Sequence, residues 1–415
     1  MKRLALSAAL FSIALASLGI REASAERLSG FRGMTVGPIE NSLNPGRGYG
    51  SPASEELLDY LVGMGVNWIS ITPFGRIWSL DSTEILMDFE APYEENREAI
   101  QRFIHAAHAR NLKVMLIPHL WVERGGWRGE IDPGSEERWA RYLENYRKFV
   151  LAWARNASEA GADALSIGVE CKSFSGRFPE FWSELIREIR SFYPGLLTYS
   201  ANWDEIDLVS FWDELDLVGI NAFYPLARSR AAATDEDYQK GAARWATRLG
   251  EFAQRVEKPI LFVEVGYTTR RFAGVDPWTW PEDLPGVMVD EEEQARALRI
   301  VLDTFIREPY FAGFFIWRTY ASLDDVSQEA PWGFNPLHKK AEADLRAIYR
   351  MPYRSDPEPF SLESLLERSP RDRSPLLPLL TRESSDSKRR RRPPSRSRLD
   401  LRGPLKDRDP HRRDR

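Results

Sequence analysis

One unit recurs along most of this 415-residue chain: a short apolar run, a few turn residues, and a longer segment with apolar residues at helical spacing. Seven apolar runs are clear and a weaker run at 47–50 precedes them, which predicts eight strands. Runs without polar alternation are typical of parallel strands that are covered on both faces. The clear runs lie at 68–71, 114–117, 164–167, 196–199, 217–220, 260–263 and 314–317.

The segments between the runs are amphipathic and predict helices. Eight strands that alternate with helices over roughly 325 residues indicate an α/β fold, a single-domain (β/α)8 TIM barrel. An open doubly wound sheet is the alternative, and it is disfavoured because no glycine-rich phosphate-binding sequence follows the first predicted strand. Helices are predicted at 55–64, 95–110, 136–160, 178–192, 235–256, 291–306 and 340–349, with about one turn at 205–212.

The two ends of the chain differ from this repeating body. A basic start (Lys2 and Arg3), an apolar stretch and small residues at 23–25 are typical of a secretory signal peptide over 1–25. We therefore predict an exported protein, periplasmic or extracellular. Residues 354–415 are rich in Arg, Pro and Ser and lack apolar periodicity, which predicts a disordered tail. The folded domain is expected at 26–353.

Charge is unevenly distributed between the body and the tail. Thirteen Lys and Arg against four Asp give residues 388–415 a charge of +9, whereas residues 26–387 carry −16 within a whole-chain charge of −5. An acidic body is a poor partner for phosphate backbones, so we expect no nucleic-acid binding by the folded domain. The basic tail is suited to polyanions or to attachment at the cell envelope, and a solvated linker is the simpler alternative.

Cysteine and histidine are too scarce for several kinds of site. The single Cys171 excludes an intrachain disulfide and any cysteine-based zinc or iron–sulfur centre. Five histidines are present, and although His105 and His108 are three residues apart, no carboxylate completes a metal-binding pattern with them. We therefore expect neither a metal ion nor another cofactor.

Two glutamates each end an apolar run: Glu170 follows the fourth predicted strand and Glu264 ends the seventh. Functional groups of a (β/α)8 barrel gather at the C-terminal ends of the strands, so both carboxylates are expected at one rim. Burial and mutual repulsion would let such a pair share one proton near neutral pH. One group could then protonate the leaving oxygen of a glycosidic bond while the other attacks the anomeric carbon. An ion pair with a rim arginine is the simpler interpretation of either glutamate alone.

Several motifs of this region resemble glycoside hydrolase family 113, a clan A family that is associated with β-mannanase activity. The resemblance covers about residues 35–350 and implies a retaining, endo-β-mannosidase-like glycoside hydrolase on a (β/α)8 barrel. The motifs are Tyr-Ser-Ala-Asn-Trp-Asp at 199–204, Phe-Trp-Asp-Glu-Leu-Asp at 211–216, Gly-Ile-Asn-Ala-Phe-Tyr-Pro at 219–225, the segment 258–267 and Asp-Pro-Trp-Thr-Trp at 276–280.

The resemblance also implies roles for individual residues. Glu170 takes the position of the acid/base, and we expect it to hold the proton in the free enzyme, whereas Glu264 takes the position of the nucleophile. Tyr224 is expected to hydrogen-bond to the nucleophile. Trp317 is expected to form the sugar platform at the scissile bond.

One position departs from the pattern of the clan. Many members have Asn directly before the acid/base, where its side chain contacts the 2-hydroxyl of the sugar, but this chain has Val169. Asn202 or His119 is expected to supply that contact instead.

Tryptophans are concentrated in segments that are predicted to follow strands. Flat aromatic faces with polar neighbours suit the apolar faces and hydroxyl rims of sugar rings. We expect Trp317 and either Trp121 or Trp203 to contact a carbohydrate ligand, and Asn221, after the sixth predicted strand, to lie in the same rim. Trp68, Trp139, Trp153 and Trp245 are instead expected to pack in strands or helices, and packing of loops against the barrel is the simpler interpretation of the rest.

Two classes of function remain open at this point. The first is a secreted retaining glycoside hydrolase that acts on a β-linked polysaccharide or oligosaccharide, with transglycosylation as a close variant. The second is a non-catalytic carbohydrate-binding or cell-envelope protein on a TIM-barrel scaffold. The presence of both glutamates favours the first.

Overall fold

The structure is a computed structural model, and it describes residues 30–39, 45–88, 91–280, 284, 286–324 and 331–351. The predicted signal peptide (1–25) and the predicted disordered tail (354–415) lie outside the described residues, so both stay predictions. Across the described ranges, no helix has the length and apolar character needed to cross a membrane.

Eight parallel strands close into a barrel and follow one another around it in chain order, which confirms the predicted (β/α)8 fold. Each of the seven clear apolar runs coincides with a barrel strand. The barrel strands are β1 (Phe31–Gly37), β2 (Trp68–Ile71), β4 (Lys113–Leu116), β6 (Ala164–Val169), β7 (Leu196–Asn202), β8 (Val218–Asn221), β9 (Ile260–Val265) and β10 (Phe311–Tyr320).

Helices connect the strands, and their ends follow local capping rules. Ser51, Ser135 and Thr234 each accept a hydrogen bond from a backbone N–H of the first turn, which would otherwise have no partner. Gly161 ends the longest of them with a φ of 73°, a conformation that glycine adopts without strain. The helices are Pro52–Met64, Tyr93–Ala109, Glu136–Ala160, Lys172–Ser175, Pro179–Arg190, Asp235–Val256, Glu291–Phe305 and Ala341–Ile348. The sequence did not predict Lys172–Ser175. The turn expected at 205–212 overlaps turns over residues 203–208, and a 3₁₀ helix follows at Trp212–Glu214.

The first barrel strand is not where the sequence pattern placed it. Residues 47–50 form a bend and turns, and the strand that pairs with both β2 and β10 is β1. Two glycines and a charged residue interrupt its sequence, Phe-Arg-Gly-Met-Thr-Val-Gly, so no continuous apolar run marks it. Gly33 is required there because a Cβ atom at this position would lie only 2.2 Å from the ring of Phe315.

Two further strands form a separate parallel sheet beyond the barrel: β3 (Phe74–Ile77) pairs with β5 (His119–Val122). Each continues the chain just after a barrel strand, from which a proline separates it, Pro73 after β2 and Pro118 after β4. Proline has no N–H to donate to a ladder, so it ends regular pairing at both places. The sequence pattern indicated loops here, and the structure extends them into a small sheet at the rim.

Large side chains fill the interior of the barrel below this rim. Phe31, Trp68 and Phe315 are fully buried, and their ring centroids lie 4.4 to 6.3 Å apart. Val169, the residue before Glu170, belongs to the same apolar cluster. The barrel is therefore a packed body, and it leaves space for a ligand only at the C-terminal ends of its strands.

Candidate active site

A cavity of about 850 Å³ lies at the C-terminal ends of the barrel strands. Both glutamates line it, Glu170 directly after β6 and Glu264 within β9, which are the fourth and seventh barrel strands. Six tryptophans form much of its wall: Trp121, Trp127, Trp203, Trp278, Trp280 and Trp317. An aromatic cavity with a few converging polar groups is typical of a small-molecule site.

The backbone after β6 turns sharply and directs Glu170 into the cavity. Its φ is 50°, in the left-handed region that non-glycine residues rarely adopt. Two hydrogen bonds hold this turn: the N–H of Glu170 donates to the Ser200 carbonyl at 2.8 Å, and the N–H of Cys171 donates to the Tyr199 hydroxyl at 2.7 Å. An unfavourable conformation that the surroundings hold in place is often found at functional sites.

Three side chains donate hydrogen bonds to the carboxylate of Glu170. The indole Nε1 of Trp127 and the guanidinium Nη1 of Arg128 reach Oε2 at 2.8 and 2.9 Å, and Nδ2 of Asn221 reaches Oε1 at 3.0 Å. Arg128 also donates through Nε to the Leu120 carbonyl at 2.8 Å, which fixes the guanidinium above the rim of β5. These donors stabilise the ionised form of Glu170.

Glu264 lies in a different environment. Its side chain is 3% exposed, and its Oε1 has no hydrogen-bond partner among the described residues. Burial, followed by the negative charge of Glu170, raises the pKa of Glu264 well above its ordinary value, while the charge of Arg128 and a contact with Asn221 oppose this shift. Asn221 therefore touches both carboxylates.

His119 packs between the aromatic wall and Glu264. Its ring stacks on Trp317 with centroids 5.7 Å apart, and its Nε2 lies 3.4 Å from Oε1 of Glu264. Burial, assisted by the positive charges of Arg128 and Arg318, holds the pKa of His119 well below its ordinary value. The imidazole is therefore neutral at neutral pH, and its approach to Glu264 is a polar contact rather than an ion pair.

Several buried polar atoms around Glu264 lack partners within the part of the chain that the structure describes. They are both ring nitrogens of His119, Oδ1 of Asn221 and Oε1 of Glu264. Buried polar groups are nearly always hydrogen-bonded in folded proteins, so a cluster of unpaired ones beside a cavity indicates a polar ligand.

A third buried glutamate, Glu205, supports the turn that carries Glu170. It accepts hydrogen bonds from the Tyr199 hydroxyl and, at 2.9 Å, from the N–H of Asn202. Tyr199 is the same residue that accepts from the N–H of Cys171, so Glu205 is two hydrogen bonds away from the backbone of the acid/base candidate. Burial, and to a smaller extent the charge of Glu170, raise the pKa of Glu205 to about 7.

Most of the site residues expected from the sequence line the cavity. Trp203 stacks on Trp278 with centroids 5.3 Å apart, and Trp121 is 43% exposed at the edge. The side chain of Asn202 donates to Asp204 at 2.8 Å. The expected residues that line the cavity are His119, Trp121, Glu170, Asn202, Trp203, Glu264 and Trp317, and Asn221 reaches it through Glu170.

The hydrogen bond expected between Tyr224 and Glu264 is absent. The ring of Tyr224 packs on Trp245, with centroids 4.5 Å apart, and contacts Trp203 and Phe262 at their edges. Its hydroxyl has no hydrogen-bond partner among the described residues. The ring of Tyr224 therefore belongs to an aromatic cluster, and its hydroxyl does not form the expected hydrogen bond with Glu264.

Sequence reasoning placed Asn221 in the rim but missed Arg128, which binds Glu170, and Glu205, which supports its turn. Arg128 begins a short 3₁₀ helix, Arg128–Glu130, after a loop with two glycines that follows β5, and Glu205 lies in a turn, so neither residue follows a strand directly. Arg128 could have been indicated only by its position beside Trp127, in the same strand-following segment as His119. No grouping of three or more His, Cys, Asp or Glu that is suited to a metal ion occurs within the described ranges.

Solved structures share this fold. The chain matches a complex of a GH113 β-1,4-mannanase with a TM-score of 0.67 at 22% identity, over 78% of this chain and 100% of that one. It matches the GH113 β-mannanase of Alicyclobacillus acidocaldarius with a TM-score of 0.65 at 26% identity, over 78% and 98%. A family 5 mannosidase of Rhizomucor miehei matches with a TM-score of 0.53 at 11% identity, over 77% and 92%. A comparison with curated protein sequences finds no match.

A closed parallel barrel with two carboxylates in an aromatic cavity at the strand ends is an arrangement of the barrel glycoside hydrolases. The family model described as Glycoside Hydrolase Family 113 matches residues 42–332 of this chain. The chain belongs to this family, and it is an enzyme that acts on O-glycosyl bonds.

Proposed function

We propose that this protein is an exported retaining glycosidase that hydrolyses β-linked, mannan-type carbohydrate through a covalent glycosyl-enzyme intermediate. The observation that carries the proposal is the meeting of Glu170 and Glu264 in one aromatic cavity, where Asn221 contacts both. Two carboxylates within reach of one amide side chain are close together, as the retaining mechanism requires.

In the first step, Glu264 attacks the anomeric carbon and the bond to the leaving oxygen breaks. Glu170 donates its proton to that oxygen, so the sugar becomes esterified to Glu264 and Glu170 becomes a carboxylate. Trp127 and Arg128 donate hydrogen bonds to this carboxylate, at 2.8 and 2.9 Å, and thereby stabilise the charge that forms.

In the second step, water attacks the anomeric carbon of the intermediate. Glu170 accepts a proton from this water, and the bond between the sugar and Glu264 breaks with Glu264 leaving as a carboxylate. Two successive inversions leave the configuration of the anomeric carbon unchanged.

The sequence expectation gave the shared proton of the free enzyme to Glu170, whereas two features of the site favour Glu264. Burial raises the pKa of Glu264, and the cationic Arg128 pairs with Glu170. In the ligand-free protein we therefore assign the proton to Glu264. Binding of substrate must be accompanied by its transfer to Glu170, because only an ionised Glu264 can attack.

The contacts to the reacting sugar follow from the unpaired polar groups. His119 presents a neutral imidazole beside Glu264, whereas the side chain of Asn202 already donates to Asp204. Of the two candidates for the 2-hydroxyl contact, the geometry therefore favours His119. Trp317, which stacks on His119, offers the sugar platform.

Mannan is proposed as the substrate class because the chain belongs to family 113 and is 26% identical to the Alicyclobacillus acidocaldarius enzyme, which is named a β-mannanase. Export is proposed from residues 1–25, and contact of the tail with polyanions from the charge of +9 over residues 388–415.

A panel of polysaccharides tests the proposal. The full chain is incubated with mannan, glucomannan, xylan and β-glucans, and reducing ends are measured while NMR follows the anomeric configuration of the first product. We expect release from mannan or glucomannan with retained configuration. Inverted product would overturn the double displacement, and binding without release from any polymer would favour a non-catalytic carbohydrate-binding protein.

A further inference from the structure

The small sheet of β3 and β5 has two unlike faces. Ile77, Leu120 and Val122 point inward and are at most 6% exposed. A Cβ atom at Gly75 would lie 2.7 Å from the ring of Phe149 on the helix Glu136–Ala160, so this face packs tightly on the protein. Because side chains alternate along a strand, the residues between these positions face the other way.

The outward face carries a row of aromatic and polar side chains. His119 and Phe74 are paired across the sheet, as are Trp121 and Arg76, and the guanidinium of Arg76 lies 5.8 Å from the centre of the Trp121 ring. Arg76 also forms an ion pair with Glu123 at 3.2 Å. This outward face, defined by Phe74, Arg76, Trp78, His119 and Trp121, is called the rim face below.

Trp78 lies at the outer end of the rim face. The ladder continues to it, because the N–H of Arg124 donates to the Trp78 carbonyl at 3.0 Å. The guanidinium of Arg124 lies 5.4 Å from the centre of the Trp78 ring, yet the residue is still 56% exposed. An exposed tryptophan that a cation backs is held in place while much of its surface stays open to solvent.

The rim face is continuous with the cavity. His119 contacts Glu264, and Trp121 forms part of the cavity wall while it is 43% exposed. At a strand rise of about 3.3 Å per residue, the four positions from Phe74 to Trp78 span roughly 13 Å. That distance exceeds a single sugar ring, so the aromatic row extends from the reacting groups well beyond the space for one sugar.

We propose that the rim face binds further sugar residues of the same polysaccharide chain whose scissile bond lies between Glu170 and Glu264. This inference rests on the proposed function. The open faces of Trp121 and Trp78 would stack on successive sugar rings, and Arg76 and Glu123 would hydrogen-bond to hydroxyls at their edges. Chains long enough to reach the rim face are therefore cleaved in preference to short oligosaccharides.

The experiment compares Trp78→Ala with wild type on polymeric mannan and on a short aryl mannoside that fills the cavity alone. We expect kcat/KM on the polymer to fall about 3- to 10-fold, the value of one aromatic contact, mainly through KM. Hydrolysis of the aryl mannoside is expected to stay unchanged, and Trp78→Phe is expected to restore most of the loss. Met351→Ala, an exposed apolar residue whose carbonyl accepts from Arg32 near the start of β1, is the matched control and should change neither rate.

The outcomes separate this inference from the proposed function. Suppose that wild type cleaves mannan. If Trp78→Ala then lowers kcat/KM equally on both substrates, or lowers it on neither, the rim face is not a binding surface. If wild type cleaves no polymer, the proposed function fails, and pull-down on insoluble mannan then tests the rim face by itself. Equal retention of wild type and Trp78→Ala on that mannan would overturn the inference there too.

Discussion

The ends of β6 and β9 carry the same type of side chain in opposite surroundings. At the end of β6, Glu170 accepts hydrogen bonds from an indole, a guanidinium and an amide, and a strained turn directs it. Within β9, Glu264 is buried, with a neutral imidazole at 3.4 Å and an oxygen that has no hydrogen-bond partner among the described residues. Glu170 is therefore surrounded by hydrogen-bond donors, whereas Oε1 of Glu264 has no hydrogen-bond partner among the described residues.

This difference indicates how one barrel obtains two roles from two glutamates. Donors around Glu170 stabilise the charge that appears when it gives up a proton, which suits an acid that later serves as a base. Scarce solvation at Glu264 leaves an ionised carboxylate reactive toward carbon, which suits a nucleophile. In the proposed mechanism, the roles are therefore set by the neighbours of each residue rather than by its type.

The largest effect is expected from Glu264→Gln, which removes the nucleophile. Turnover should fall by several orders of magnitude with the fold intact, because an amide of the same shape cannot form the glycosyl-enzyme. A 2-fluoro mannoside should label Glu264 in wild type, as found by mass spectrometry of peptides. Glu293→Gln is the control, since Glu293 is equally buried but bonds to Tyr238 outside the cavity. A label on any other carboxylate would contradict the assignment.

Glu170→Ala should cost about 10²- to 10⁴-fold on mannan, the range of general acid–base catalysis. Activated aryl mannosides need little protonation, so the first step should suffer less with them. Azide should then restore turnover and give a mannosyl azide of retained configuration, because it needs no general base. Equal losses on good and poor leaving groups, without rescue by azide, would mean that Glu170 only binds substrate or supports the site.

Arg128→Met is expected to move the acid limb of the kcat/KM profile to higher pH. The positive charge of Arg128 lowers the pKa of Glu264, so its removal raises that pKa and delays ionisation of the nucleophile. The rate at the optimum should fall about 10- to 100-fold because a charged hydrogen bond to Glu170 is lost. Trp127→Phe removes a neutral donor to the same oxygen and should leave the acid limb in place. An acid limb that stays in place in Arg128→Met would mean that the charge of Arg128 does not lower the pKa of Glu264.

Of these variants, Glu205→Gln is expected to change activity least. It is expected to change the pH dependence of the free energy of unfolding measurably. Its pKa is about 7 in the folded protein and near 4.5 when unfolded, so it contributes stability below about pH 4.5 that is lost as the pH rises through 7. The loss amounts to about 3 kcal/mol in wild type and should vanish in the variant, which cannot ionise. Urea unfolding between pH 4.5 and 8 measures this slope, with exposed Glu56→Gln as the control. Identical slopes in wild type and Glu205→Gln would contradict the assignment.

The sequence predicted those parts of the molecule in which one residue pattern has one structural cause. Seven strands were found because a strand covered on both faces must be apolar throughout, and Glu170 and Glu264 stood out where two such runs end. The strand β1 was not predicted because its apolar pattern is interrupted by Gly33, which makes room for Phe315. That requirement is set by a residue more than 280 positions away. Arg128 and Tyr224 could not be placed for the same reason, since contacts across the fold decide where each side chain points.

The packed interior of the barrel determines the side from which substrate and product reach the cavity. Among the described residues, Phe31, Trp68 and Phe315 fill the interior of the barrel, so substrate and product reach the cavity at the C-terminal ends of the strands. In the proposed mechanism, the attacking water must approach the face of the sugar that the released part of the polysaccharide has just left. The released fragment therefore has to move aside before the intermediate can be resolved, and while it stays in place another sugar hydroxyl rather than water is the nearest acceptor.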